Sequence, residues 1–254
     1  MEILLVNDDG IYANGILTLA KDLSKEHKVT VVAPYKQMSG QSHSLTFNNY
    51  INFMPLEILD GIDCFAVSGT PCDCVKFGID ILLGRKPDLV VSGINDGFNL
   101  GTDVIYSGTV NAALEGLVMG VPAIAVSQTY KWGDYHFASE FVCEHIEKFA
   151  ELAQADKNSI ISINIPSHLV DEKNNVNNIK GVRVGKLGTR KYEDNYEKNG
   201  LKGYYLEGAP NIEEETDVNN DTLLIEEGYV TISFVKADYN NYELLAKYGK
   251  EFKL

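Results

Sequence analysis

The 254-residue chain is poor in cationic and reactive groups, and each shortage excludes a class of function. It holds only three arginines (Arg85, Arg183 and Arg190), and 22 Lys+Arg stand against 36 Asp+Glu for a net charge of −14. Proteins that track a nucleic-acid backbone need a basic surface, so no nucleic-acid polymer is expected as a partner. The four cysteines (Cys64, Cys72, Cys74, Cys143) make no CxxC pair and no Cys/His cluster with zinc spacing, and read as reduced buried thiols. The longest nearly unbroken apolar run, Leu117 to Val126, is too short to span a bilayer and contains Gly120 and Pro122. The opening MEILLVNDDG has Glu2 where a signal peptide carries Lys or Arg, and its apolar stretch ends at Asp8. A cytoplasmic location without membrane contact is the expectation. GxGxxG, GxxxxGK[ST] and GxSxG are all missing, which removes the dinucleotide fingerprint, the P-loop and the nucleophile elbow.

What is present is alternation of strand and helix. Short apolar runs at 3–6, 29–33, 64–67, 88–91, 123–126 and 160–165 read as buried parallel strands. Helical spacing follows at 16–23, 71–83, 107–119 and 134–153, and residues 45–58 suggest an extended side hairpin. The pattern predicts an α/β fold, a doubly wound, mostly parallel sheet with helices on both faces. Ligands in such folds sit beyond the carboxyl ends of the strands, where the polar loops 7–10, 34–44, 68–71 and 92–109 all fall. After Pro166 the texture changes. Residues 171–178 read as a polar turn, 182–235 as short Tyr-rich strands outside the central sheet with an acidic run at 213–217, and 242–252 as a last helix. An arm packing on another subunit and an ordinary β-rich flap both fit 182–235.

Four strand-end motifs carry chemistry. Asp8 and Asp9 follow the first strand, and Gly10 permits a tight turn that aims both carboxylates at one point. A divalent cation removes their repulsion, and oxygen ligation suits Mg²⁺, Mn²⁺ or Ca²⁺. SGQSHS at 39–44 supplies Ser39 as a metal ligand or hydrogen-bond donor and His43 as a candidate general acid. SGINDGFNLG at 92–101 offers Asn95, and second to it Asn99, as a neutral ligand or donor. At 106–116 (YSGTVNAALEG), Ser107, Gly108 and Thr109 open a helix whose free N–H groups and dipole suit an anion, while plain capping explains Ser107 equally well. Thr70, Pro71 and Asp73 read as a helix cap. Gathered on one rim, these groups fit metal-assisted phosphoester hydrolysis, which also reconciles an acidic chain with a phosphate substrate.

These stretches resemble the SurE survival proteins. The matching segments are LLVNDDGI (4–11), VVAPYKQMSGQSHSLT (31–46), VSGTPCDCVKFG (67–78), PDLVVSGINDGFNLGTDVIYSGTVNAALEG (87–116), INIP (163–166), TDV (216–218) and GYVTISF (228–234). The resemblance implies a Rossmann-like catalytic core, here residues 1–166, and a C-terminal extension, 167–254, with a hairpin arm, late strand and terminal helix exchanged between subunits of a homodimer or homotetramer. It implies one Mg²⁺ or Mn²⁺ per subunit on Asp8, Asp9, Ser39 and Asn95, and substrate phosphate beside Ser107, Gly108 and Thr109. The implied activity is hydrolysis of nucleoside 5′- and 3′-monophosphates by a metal-activated water, with short polyphosphate as a further substrate of some members. Tyr35 stands where the family usually has an acidic residue, and Cys72 where it has alanine; neither is a ligand. A covalent aspartyl-phosphate route wants DxD after the first strand, which NDDG does not supply. A non-catalytic nucleotide or metal sensor on the same scaffold is the alternative from another class.

Overall fold

The computed structural model describes residues 1–129, 134–170, 178–200, 202–211 and 217–249. The elements in chain order are β1 (Glu2–Val6), α1 (Asn14–Leu23), β2 (Lys28–Pro34), β3 (Phe53–Leu56), β4 (Asp63–Val67), α2 (Pro71–Phe77), β5 (Leu89–Asp96), α3 (Asp103–Tyr106) and α4 (Gly108–Val118). They continue with β6 (Ala123–Gln128), α5 (His136–Ala155), β7 (Ser159–Ile165), β8 (Gly181–Val184), β9 (Lys191–Lys198), β10 (Tyr204–Asn211), α6 (Asp221–Glu226), β11 (Tyr229–Lys236) and α7 (Tyr242–Tyr248).

Nine strands form one sheet in the order β3-β4-β2-β1-β5-β6-β7-β11-β8. From β4 to β7 all pairings are parallel; β3 and β11 join antiparallel to β4 and β7. Because side chains alternate along a strand, β1 feeds two cores. Ile3 and Leu5 pack with α1 and α5 residues such as Ile16, Leu19, Val142 and Ile146. Leu4 and Val6 face Val75, Val110 and Leu114 of α2 and α4. The chain winds from β1 to β2 and β4 on one side and from β5 to β6 and β7 on the other, so the order reverses at the β1–β5 pair. The loops leaving β1 and β5 therefore flank the switch-point crevice. Among the described residues no helix is long and apolar enough to cross a membrane.

Four expectations change. The 45–58 stretch makes no side hairpin: β3 pairs with β4 as an edge of the main sheet. The helix from Pro71 is α-helical only to Phe77 and then widens into π-type turns over Gly78–Leu83. β5 runs on to Asp96, which puts Asn95 on a strand end rather than in a free loop. The 182–235 stretch divides: β8 and β11 extend the central sheet, while β9 and β10 pair only with each other, antiparallel from Lys191↔Asn211 to Lys198↔Tyr204. The expected turn at 171–177 and most of the acidic run, 213–216, lie outside the described residues, as does the expected helix beyond Gly249.

Candidate active site

The site is built on the turn that ends β1. Asn7, fully buried, donates from Nδ2 to Gly10 O (3.0 Å) and accepts from Gly10 N at Oδ1 (3.2 Å), closing the turn around the two aspartates. Asp8 is 3% exposed and accepts from the Thr109 hydroxyl on α4. That hydroxyl also lies 3.2 Å from Asn95 Oδ1, while Asn95 Nδ2 donates to Gly97 O (2.8 Å) and so leaves the amide oxygen facing the aspartate. A Cβ at position 108 would stand 2.8 Å from Asp8 Cβ and Oδ2, so only glycine lets the start of α4 come this close. Asp9 accepts from Asp96 N (3.1 Å) and Gln37 Nε2 (3.5 Å).

Electrostatics mark the pair as under-compensated. Burial pushes the Asp8 carboxyl up, opposed by the Thr109 hydroxyl and the backbone N–H groups of Gly108 and Thr109. Burial, then the Asp8 charge, pushes Asp9 up to about 6. Among the described residues no lysine or arginine forms an ion pair with either, and no group of three His, Cys, Asp or Glu is placed to hold a metal ion. A cation here would rest on two carboxylates completed by the oxygens of Asn95 and Ser39. That all-oxygen set, with two repelling charges and no internal counter-ion, fits a hard divalent cation.

Asp8, Ser39, Asn95 and Ser107 line one cleft of about 850 Å³. Ser39 is exposed there, and its loop is tied down by Met38 N donating to Asp8 O (2.7 Å) and Ser42 N donating to Tyr106 O (3.0 Å). Ser107 caps α4, accepting from Val110 N (3.0 Å). The first N–H groups of that helix lean on Asp8, so its anion-favouring end opens at the carboxylates.

His43 takes a different place. Its Nε2 lies 2.6 Å from Oε2 of Glu115, a carboxylate buried on α4 that also receives Lys76 Nζ at 3.2 Å. Burial works against the Glu115 charge, yet the bonds from His43 and Lys76 hold its carboxyl below the ordinary value. His43 is outside the cleft lining and clamps the Ser39 loop to α4. Asn99 also lines the cleft and anchors its loop: its backbone N donates to Asn164 Oδ1 (2.8 Å) and its Nδ2 to Ser127 Oγ (2.8 Å), pinning the glycine-rich loop to β6 and β7. Thr70 and Asp73 form a reciprocal capping box on α2.

Sequence reasoning missed the supports. Asp221, fully buried, accepts from Gly101 N (2.9 Å) and Gly188 N (2.9 Å), and so staples the site loop to the root of the β9–β10 hairpin. It hides in the polar run DVNNDT, whereas Asp217, in the TDV segment, makes a surface pair with Lys186. Asp103 receives Arg190 Nη1 (2.8 Å) and the Tyr192 hydroxyl (2.8 Å), and Thr102 Oγ1 donates to Arg190 O. The hairpin root therefore contacts the core of its own chain beside the cleft.

The family model for survival protein SurE matches residues 3–194. A curated 5′-nucleotidase SurE from Thermosipho africanus is 41% identical over 258 residues, spanning 100% of this chain and 98% of the relative. Another 5′-nucleotidase SurE, from Clostridium botulinum, is 41% identical over 262 residues and 100% of both chains. The crystal structure of the SurE protein from Aquifex aeolicus superposes with a TM-score of 0.80 at 32% identity, covering 97% of this chain and 98% of that one.

Proposed function

The chain belongs to the survival protein SurE family, and from that premise we propose that it is a metal-dependent 5′-nucleotidase, hydrolysing nucleoside 5′- and 3′-monophosphates to nucleoside and phosphate. The observation that carries the reading is the pair Asp8–Asp9, one buried and one half-buried, with no lysine or arginine paired to either among the described residues, against the N-terminus of α4 at the switch-point crevice. One Mg²⁺ or Mn²⁺ per subunit, on Asp8, Asp9, Ser39 and Asn95, would stabilise the charge that develops on the phosphoryl group and acidify water for attack.

The protein's own groups do the positioning. Thr109 fixes the rotamer of Asp8, and the Asp96 N–H orients Asp9. Ser107, Gly108 and Thr109 turn the positive end of α4 toward the substrate phosphate. The His43–Glu115 bond holds the loop from which Ser39 reaches the cleft. Attack by water, not an aspartyl ester, is the proposed route, and trapping an acid-stable, hydroxylamine-labile phosphoenzyme would overturn it.

The finer features of the reading go with it. We place the catalytic core at 1–166 and the extension at 167–254, whose β8 and β11 complete the core sheet and whose hairpin we assign to oligomerisation, expect a homodimer or homotetramer acting in the cytoplasm, and count short polyphosphate as a secondary substrate. A non-catalytic sensor on this scaffold is disfavoured, because relatives matching the full chain are 5′-nucleotidases. The test is phosphate release from a panel of 5′- and 3′-monophosphates, after chelation and after adding back Mg²⁺ or Mn²⁺. Activity lost with chelator and restored by metal is expected. Folded protein that releases no phosphate under either metal would overturn the reading.

A further inference from the structure

The cleft reaches far beyond the aspartates. Its inner end is Asp8, Asn95 and Ser107; its outer end is walled by Phe98 and Tyr106 of the core and by Tyr192 and Leu206 of the hairpin. The two hairpin residues share a face. β9 side chains at 192, 194 and 196 point one way, and Leu206 lies opposite Tyr196 in the antiparallel register.

Arg190, which lines the cleft, is held by its pairing with Asp103. Arg190 and the Tyr192 hydroxyl take one oxygen each of Asp103, and Thr102 holds the Arg190 carbonyl. Arg190 and Asp103 are each largely covered, with side chains 16% and 12% exposed, so their charges cancel within the wall. What the arm presents beside this pair is an aromatic ring, 40% exposed, with Lys191 next to it in the chain and Asp194 between it and Leu206 on the same face. The ring suits the flat face of a heterocycle.

We propose that the root of the hairpin arm is the nucleoside-binding wall of the site, with Tyr192 contacting the base and Asp103 and Arg190 acting as positioning residues that hold Tyr192 over the cleft. The inference rests on the nucleotidase reading and extends it: the core grips the phosphate, and the arm distinguishes a nucleotide from a bare phosphoester.

The test compares full-length wild type with Tyr192→Ala and Tyr192→Phe, on a nucleoside 5′-monophosphate and on glycerol phosphate, which has no ring. Tyr192→Ala is expected to raise KM for the nucleotide about tenfold or more, the scale of a lost base–aromatic contact. Its kcat for the nucleotide and its kcat/KM for glycerol phosphate are expected to shift by less than about threefold, and Tyr192→Phe keeps most of the nucleotide affinity because the ring remains. Equal losses on both substrates, or no loss on either, would overturn the proposal. Calorimetric titration with free nucleoside decides it without turnover: binding to wild type that disappears in Tyr192→Ala supports the arm, and a wild type that binds no nucleoside sinks it. Failure of the nucleotidase reading looks different, as wild type would then hydrolyse neither phosphoester.

Discussion

The crevice and the arm are both made of strands, yet they are specified in opposite ways. In β6 and β7 every residue is buried, and β5 is buried as far as Ile94. In β9 every residue is exposed, and the strand pairs only with β10. A two-stranded ribbon is marginal by itself, so the arm keeps its place through a few polar bonds at its root. The central sheet supplies a rigid floor that holds Asp8 and Asn95 to one geometry. The arm supplies a wall that can be altered without disturbing that floor.

Breaking the floor's chemistry should give the largest effect. Asp8→Asn is expected to lower kcat/KM by at least about a thousandfold, since it removes one of two charges that would hold the cation. The same variant, stripped of metal, should melt no lower than wild type, because the lost charge was buried and uncompensated. A marked drop in its melting temperature would make Asp8 a structural residue. Asp221→Ala comes next: the buried Gly101 N–H and the part-buried Gly188 N–H lose their acceptor, costing about 3 kcal/mol. Denaturant unfolding measures that loss, and increased proteolysis near Gly188 would report the freed arm root.

Glu115→Gln tests the clamp between floor and loop. His43 and Lys76 are partly exposed and can turn to water, so about 1–2 kcal/mol of stability should go. KM should rise through the loosened Ser39 loop, and unchanged kinetics would confine Glu115 to packing.

The pH response of chelated protein has a definite sign. Asp9 titrates at about 6 in the fold against 3.8 unfolded, so the native state holds the extra proton between those values. Stability should therefore rise as pH falls from 7 to 5, and saturating metal should abolish or reverse the trend. The opposite pull of Glu2, whose bonds to Arg85 and Lys28 outweigh burial and lower it to about 2, is felt only below about 4.5. The smallest stability effect belongs to the arm's surface: Tyr196→Ser, at a ring 67% exposed, should change unfolding free energy by less than about 0.5 kcal/mol. If the arm joins subunits as proposed, the same change would lower the sedimentation coefficient at dilute protein, and an unaltered oligomer would remove Tyr196 from any interface.

The same contrast explains what the sequence made legible. Runs such as Ile3–Val6 and Ile160–Ile165 announce buried strands because both faces need apolar residues. NDDG and SGTVNAALEG stand out because glycine and capping chemistry have local signatures. β8 does not announce itself: GVRV is four residues long with a central arginine, and it is ordered by its parallel pairing to β11. Asp221 resembles any acid in a polar turn until the fold brings Gly101 and Gly188 to it. Asn99 carries a structural role the sequence does not announce. In the chain it looks like a spare ligand, and only the arrival of Asn164 and Ser127 shows its backbone N–H and side-chain N–H to be anchoring the loop.

The bond from Gly101 to Asp221 spans 120 residues, and its consequence is temporal. During synthesis, Asp8, Ser39, Asn95 and Thr109 all leave the ribosome early, in the first half of the chain. The carboxylate that fastens their loop is made 120 residues after the Gly101 N–H it receives. A nascent chain thus carries both aspartates long before it has a finished cleft.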